Sequence, residues 1–484
     1  MVVDLKLVSR LLSPAVLWLG ILAVIPALLS FFTATDGWWE FLATAGASIF
    51  VSFFCRRIGK RAGSQTGIRE LFVFTGLLWC VMTSLAAIPF YLILKDLSIA
   101  ESIFESASGL STTGATVIDN LDSRPPAVLL WRSMLQFLGG IGFVVIAVAI
   151  LPNASLGGMN IFKTESTSFD DSLKITPHVK TMAISLLAWY MLMLFLCIFF
   201  YILGGFDIFL AVNAALCTVS TGGMMPIDAS MNGASAFIQY TCMVFMFLGS
   251  CPFLLILGSI TGSITTIIKD QQVKCLFFTI IIISLMIGSS LIIINGYGVE
   301  AAYRTAFFNV IAILSSTGFN LGDFTEWNSF ATIIFLMILG VGGCSGSTSG
   351  GIKLFRLQIC YSMFKAQVRK SIHPHQVIEP RFNGQVIDSA TLRSVITYLV
   401  SYMLIAMLSA IVASLLGLSL SDAITGTVSA LSNIGPAIGP TLGPSHSFAG
   451  LSDSIYCLFA FDMILGRLEI LPLLLCLTPM FWKR

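Results

Sequence analysis

Long apolar runs alternate with short ones along this chain, and the alternation is regular. A bilayer-spanning helix needs about 20 apolar residues. Two such runs open the chain, at 13–32 and 38–55, and the basic block Arg56-Arg57-Ile58-Gly59-Lys60-Arg61 closes the second. A long–short–long pattern then occurs four times: 71–94, 99–110 and 128–151; 182–203, 208–218 and 236–260; 275–294, 301–314 and 330–341; 394–416, 422–431 and 455–477. The short runs cannot cross a bilayer. A fourfold internal repeat of this kind sets the architecture before any single residue is considered. The units are 1–68 (two helices outside the repeat), 69–180, 181–273, 274–390 and 391–484. The pattern predicts an all-α polytopic membrane protein. It has ten transmembrane helices, with four parallel helix–pore-loop–helix repeats around one pore, preceded by two extra helices.

Every short run ends in a polar turn. The four turns are Ser111-Thr112-Thr113-Gly114-Ala115, Val219-Ser220-Thr221-Gly222-Gly223, Ser315-Ser316-Thr317-Gly318-Phe319 and Ser432-Asn433-Ile434-Gly435-Pro436. Alignment on Gly114, Gly222, Gly318 and Gly435 places Glu105, Asn213, Asn309 and Gly426 nine residues upstream. Glycine admits positive φ and can turn successive carbonyls toward a common axis. Half-helix C-termini add partial negative charge at the same point. Irregular backbone at membrane depth must line a cavity or be buried in protein, and a ring of carbonyls suits a dehydrated cation. The predicted filter is therefore Thr112, Thr113, Gly114, Ser220, Thr221, Gly222, Ser316, Thr317, Gly318, Asn433, Ile434 and Gly435. Ile434 stands where the other loops carry Thr, leaving a carbonyl but no hydroxyl. The other reading of the four turns is small-residue helix packing.

Composition narrows the class. Of 484 residues, 56% are hydrophobic and 10% charged, and the mean hydropathy of +0.93 is that of a membrane protein. Charge placement orients it. With a cytoplasmic N-terminus the inner loops 56–69, 163–180, 269–274 and 353–393 and the terminal Lys483-Arg484 are basic, as the positive-inside rule requires. The outer loops hold only Lys95, Arg124, Arg132 and Arg304 among several acids. This places both termini in the cytoplasm and makes the short runs re-entrant from outside. The first helix is long for a signal-peptide core and reads as retained. The cysteines form no C-x-x-C pair and histidine is scarce, which argues against a metal site, a disulfide frame or an acid–base enzyme.

Two further features bear on the pathway. The run from Gly340 to Lys353 falls where the second long helix of repeat three should continue. It includes Gly342, Gly343, Ser345, Gly346, Ser347, Thr348, Gly350 and Gly351. Its density of Gly and Ser predicts an unwound, flexible loop beneath the carbonyl ring, able to block or open the path; a tight helix-packing patch is the alternative. It is not a phosphate-binding loop, because Ile352 follows Gly351 where that motif needs Lys. Arg467 is then the one basic residue assigned to a span, a site hypothesis in itself. It either sets a barrier to cations in the pore or pairs with Asp462 or Glu469, though neither stands three or four residues away. The polar stretch 353–393 reads either as a solvated basic loop or as a docking surface for a cytosolic partner.

Together the four loops, the Gly-Gly-Cys-Ser-Gly-Ser-Thr-Ser-Gly-Gly-Ile-Lys run and Leu465-Gly466-Arg467-Leu468-Glu469 resemble the Trk/Ktr/HKT superfamily of potassium transporters. Trp131-Arg132, Gln136, Gly139-Gly140-Ile141-Gly142 and Gly157-Gly158-Met159-Asn160-Ile161-Phe162-Lys163 are similar to that family too. The two extra N-terminal helices match the bacterial TrkH branch better than the shorter KtrB branch. The resemblance implies a potassium-selective pore with K+ as transported ion and no organic cofactor. It also implies a homodimer in the bacterial inner membrane and a cytosolic TrkA-type nucleotide-binding regulatory subunit, with lipid and not nucleic acid as its surroundings. It assigns the gate to the 340–351 loop and Arg467. Ion-coupled symport of potassium with sodium or protons is the alternative mode. A membrane-embedded enzyme would need His, Asp or Glu clustered within the spans, where the sequence offers little beyond Arg467, Glu469 and Asp462.

Overall fold

The computed structural model describes residues 3–63, 67–150, 179–261 and 265–482. The Gly157–Lys163 motif and the inner loop at 163–178 lie outside the described residues. Helices follow one another in the anticipated order. Leu5–Phe32 and Trp38–Ile58 pack against each other and come first. Four units of helix, half-helix and helix follow. The half-helices are Ile99–Ser111, Ile208–Val219, Val299–Leu314 and Leu420–Ser432. Among the described residues, six helices are long and apolar enough to cross a membrane, and a seventh span is a bent pair. The outer faces of these helices expose large apolar side chains such as Phe53, Phe195, Phe199 and Met403. Water would penalise that surface, whereas a bilayer accepts it because each helix satisfies its own backbone.

Several elements differ from the pattern-based expectation. The first helix begins at Leu5, so Lys6 and Arg10 belong to it, and Asp4 caps it by accepting from the Lys6 and Leu7 amides. Arg56 and Arg57 form the last turn of the second helix instead of ending it, where cations complement the helix dipole. The repeat-two run at 236–260 is no continuous helix. It breaks at Cys251-Pro252 into Ala236–Ser250 and Phe253–Thr261, bent by 99°, because proline lacks the donor and clashes with the preceding turn. The repeat-four run at 455–477 likewise breaks into Asp453–Arg467 and Leu471–Leu477, with positive φ at Glu469 and Ile470. Repeat three stops at Ile338 and resumes as a helix at Leu354–Ile372. Half of the supposed polar loop at 353–393 is therefore helical, and a short hairpin pairing Arg381–Phe382 with Gln385–Val386 follows.

Polar caps aim three of the four half-helices, and Gly298 opens the other, Val299–Leu314, without a side-chain cap. Ser98 and Glu101 form a reciprocal capping box, Asp207 accepts from the Phe209 and Leu210 amides, and Ser419 accepts from Asp422. Each cap contributes about 1 kcal/mol. Glycines in the second helices then let the half-helix ends come close. A Cβ on Gly139 would lie 1.7 Å from the Leu110 carbonyl, and one on Gly466 would lie 2.0 Å from the Leu431 carbonyl.

Candidate functional site

The four half-helices end in one repeated backbone figure. A residue in the left-handed region follows each: Thr112 (φ 56°), Thr221 (52°), Ser316 (53°) and Asn433 (53°). Two positions on stands a glycine with positive φ: Gly114, Gly223, Gly318 and Gly435. The closing hydrogen bonds keep the same register. The amides of Thr113, Gly222, Thr317 and Ile434 donate to the carbonyls of Ser108, Cys217, Ala312 and Ser429. The second loop therefore sits one residue later than the alignment on Gly222 assumed. Gly223 is the counterpart of Gly114, Gly222 of Thr113, and Ser220 falls back to the helix end beside Ser111, Ser315 and Ser432. Matching the string Ser-Thr-Gly misplaced it; the positive-φ position decides the register, and Gly223 takes it.

The four loops close on themselves. A Cβ on Gly114 would lie 2.5 Å from the Gly222 carbonyl oxygen, and one on Gly223 would lie 1.9 Å from that of Thr317. One on Gly318 would lie 1.8 Å from the Ile434 oxygen, and one on Gly435 would lie 2.7 Å from that of Thr113. Each glycine thus abuts the carbonyl before the glycine of the next loop, in the order one, two, three, four and back to one. Any side chain at these positions would push the neighbouring loop's backbone out of the ring. Side chains reinforce the closure. Asn433 Nδ2 donates to Thr113 Oγ1 at 3.0 Å, and Gln136 Nε2 donates to the Gly222 carbonyl at 2.5 Å while its Oε1 accepts from Met224.

Braces hold the strands that leave the ring. Glu105 accepts from the Val117 amide at 2.9 Å, and Asn309 Oδ1 accepts from the Leu321 amide at 3.2 Å. Thr425 Oγ1 serves the Ile438 amide at 3.0 Å. Each braced amide lies three residues past a ring glycine. In loop two that position is Pro226, which has no amide, and the corrected register puts Ala214, not Asn213, opposite Glu105. There Arg132 takes over, donating from Nη1 to the Met225 carbonyl at 3.1 Å. Arg132 is not in an outer loop. It sits in the helix Pro126–Ile150, is 1% exposed, and pairs with buried Glu105 at 2.7 Å. Arg467 is therefore not the one basic residue within a span; a charge in the first turns of an apolar run is hard to assign from pattern alone. Above the ring opens a cavity of about 200 Å³ whose floor includes Gly114, Gly223, Gly318 and Gly435, with Asp119, Asp228 and His446 on its walls.

The glycine-rich segment lies against the opposite side of the ring. Thr348 Oγ1 is 3.1 Å from Thr221 Oγ1, and the Gly350 amide donates to Ser316 Oγ at 2.6 Å. A Cβ on Gly350 would lie 2.4 Å from the Ser432 carbonyl. The segment is unwound, as anticipated, but tethered. Val341 and Gly342 pair in parallel with Ile352 and Lys353, and the Leu354 amide donates to Gly343 O at 3.1 Å. The broken repeat-two helix supplies the rest. Cys344 and Thr348 amides donate to Ser250 and Gly249 carbonyls, and Phe253 donates to Gly346. Ser345 N donates to Gln272 at 2.9 Å, and Ser347 Oγ donates to Cys344 O at 2.6 Å. Gly351 takes φ of 71° at the exit.

Arg467 reaches into this segment. Its Nη1 donates to the Thr348 carbonyl at 2.9 Å, and its Nη2 to the Gly139 carbonyl at 3.3 Å. The two carboxylates of its own segment have other partners: Asp462 accepts from Ser409 at 2.9 Å, and Glu469 pairs with Arg356. Arg356 was missed by pattern reading. It is fully buried and stacks on the Tyr398 ring at 3.6 Å. The signal available was its place just past Gly350-Gly351-Ile352-Lys353, where the loop must be anchored.

An apolar helical shell around a ring of four loop ends, with a mouth on one side and an unwound segment on the other, defines a polytopic membrane transport protein rather than an enzyme. The comparison with known families agrees. The family model for TrkH, described as a cation transport protein, matches residues 41–484. The chain belongs to the TrkH family, within the Trk superfamily. It is 35% identical over 419 residues to the Trk system potassium uptake protein TrkI of Halomonas elongata, covering 86% of this chain and 84% of that one. It is 29% identical to TrkG of Escherichia coli, covering 96% of each chain. The crystal structure of the potassium transporter TrkH from Vibrio parahaemolyticus superposes with a TM-score of 0.91 at 27% identity, covering 99% of this chain and all of that one.

Proposed function

We propose that this chain takes up potassium, conducting it inward through the four-loop ring, with the membrane potential as driving force. The observation that carries the reading is the cyclic contact of four glycines with four carbonyls, which supports a pathway lined by main-chain oxygens from every repeat. Such oxygens replace the hydration shell of a partly dehydrated cation. In this reading the filter residues are Thr112–Gly114, Thr221–Gly223, Ser316–Gly318 and Asn433–Gly435. Residues 340–351 and Arg467 form the gate, because the guanidinium holds the segment against the ring through the Thr348 carbonyl and adds positive charge to the path. The relatives named as Trk system uptake proteins support potassium as the ion. The same likeness supports a homodimer in the bacterial inner membrane with cytoplasmic termini and a TrkA-type cytosolic regulator.

The test is cation flux into proteoliposomes, comparing potassium, rubidium and sodium for the native chain and for Gly318→Ser. Potassium and rubidium flux well above sodium, with the preference lost in the variant, is the expected result. Flux without preference that the variant leaves unchanged overturns the filter.

A further inference from the structure

The helix that leaves the gate segment, Leu354–Ile372, has two faces. Leu354, Phe355, Arg356 and Ile359 are buried against the protein. The other face carries Tyr361, Phe364, Val368 and Ile372, spaced as one helical stripe and 42–67% exposed. Lys365, Arg369 and Lys370 are also exposed. Among the described residues, none of the three takes part in an ion pair. This is the basic stretch that the ring and the gate leave unexplained.

Its depth follows from helix geometry. At about 1.5 Å per residue, the half-helices Ile99–Ser111 and Ile208–Val219 (13 and 12 residues) carry the ring roughly 18–20 Å below the outer surface. The gate segment touches the ring there, through Thr348 and Gly350. A hydrocarbon core of about 30 Å then leaves roughly 10–12 Å, or about eight residues, below it. For a helix that runs along the membrane normal from that level, the count from Leu354 puts the inner boundary near Tyr361 and Phe364. Aromatic side chains favour that interface. Lys365, Arg369 and Lys370 follow at the level of the phosphates, where clustered cations beside a membrane helix attract anionic lipid.

We propose that this turn of Leu354–Ile372 is a binding site for an anionic phospholipid headgroup of the inner leaflet. The phosphate sits between Lys365 and Arg369, one helical turn apart, with Lys370 on the flank of the helix, and the acyl chains run from there past Phe364 and Tyr361 into the bilayer. The helix transmits the contact to the gate. Its first residue, Leu354, hydrogen-bonds to Gly343 of the gate segment, and Arg356 in the same turn pairs with Glu469, two residues along the chain from Arg467. The inference rests on the orientation adopted under Proposed function, with the half-helices entering from outside.

The test uses the full-length purified protein in detergent. Thermal stability is followed by tryptophan fluorescence during titration with phosphatidylglycerol, phosphatidylcholine or inorganic phosphate. Phosphatidylglycerol raises Tm saturably, and the variant Lys365→Gln/Arg369→Gln/Lys370→Gln needs at least about tenfold more lipid for half the effect. Lys365→Gln alone gives an intermediate shift and serves if the triple variant folds poorly. Equal titrations for native and variant protein overturn the site, as does an equal response to inorganic phosphate. Phe364→Cys tests the rival occupant: cysteine cross-linked pairs of this variant in native membranes, absent from the parent, mean that a second copy covers the stripe, which also overturns the proposal. Potassium-over-sodium flux in phosphatidylcholine vesicles, measured in parallel, reports on the transport reading independently of the lipid result.

Discussion

Among the buried arginines, Arg132 and Arg467 lie in the second helices of repeats one and four, the former near the start of its helix and the latter at the end, and they are used differently. Arg132 meets a carboxylate, Glu105, at 2.7 Å, and the same Glu105 braces the strand leaving loop one. Its Nη1 crosses to loop two through the Met225 carbonyl. Arg467 donates to two main-chain carbonyls, one on the gate segment and one on the repeat-one helix. An ion pair in a low-dielectric interior is costly to separate, so Arg132 is a fixed strut. Hydrogen bonds from a cation to carbonyls are exchangeable, and water or a passing hydration shell can replace them at smaller cost. A buried charge thus marks either a strut or a latch, and the partner decides which.

The contrast can be broken by mutation. Arg132→Ala leaves Glu105 buried and unpaired, and it should cost about 3–5 kcal/mol. The expected outcome is loss of folded protein, read as monodisperse yield after membrane extraction; normal yield and Tm would remove the strut. Gly318→Ser should abolish cation preference with the fold retained, because the new side chain meets the Ile434 carbonyl. Arg467→Ala should raise basal flux several-fold in correctly inserted protein while leaving Tm within a few degrees. Unchanged flux there would show that the latch is not one.

Smaller effects sharpen the picture. Gln136→Ala removes the donor to the Gly222 carbonyl and should weaken preference without abolishing it, seen as a reduced potassium-to-sodium flux ratio. The smallest effect concerns the outer loops. Arg124 donates two hydrogen bonds to Asp96, which lowers the Asp96 carboxyl pKa from its ordinary value of 3.8. A depressed carboxyl pKa stabilises the fold above that ordinary value and loses its contribution as pH falls through the folded-state value. This exposed pair is worth under about 1 kcal/mol. Arg124→Gln should lower Tm slightly at pH 7, and the difference should shrink as pH falls below 3.8.

Much of this architecture was legible in the sequence. The order of elements followed from run lengths alone, because a bilayer imposes length and apolarity more strictly than water does. Gly114, Gly318 and Gly435 take the positive φ that their loops lead one to expect, because such a position tolerates little else. The second loop slipped because it offers two consecutive glycines, Gly222 and Gly223, and only backbone geometry separates them. Arg132 was misplaced because its partner, Glu105, lies 27 residues away on another element. The breaks at Cys251-Pro252 and after Arg467 escaped notice because apolar character continues across both, and hydropathy does not register a bend. Arg356 was overlooked because its stacking on Tyr398 and its pairing with Glu469 are long-range contacts.

The closure of loop four onto loop one has a consequence for how the protein is made. Asn433 and Thr113 are joined across 320 positions of chain, and Gly435 seals against the Thr113 carbonyl. Three quarters of the ring are therefore synthesised and inserted while its last quarter is still untranslated. During that interval the three inserted loops lack their closing neighbour and the gate segment lacks Arg467. A nascent chain halted before residue 432 would be a membrane protein with an unsealed wall, so biogenesis places its greatest hazard just before its final repeat.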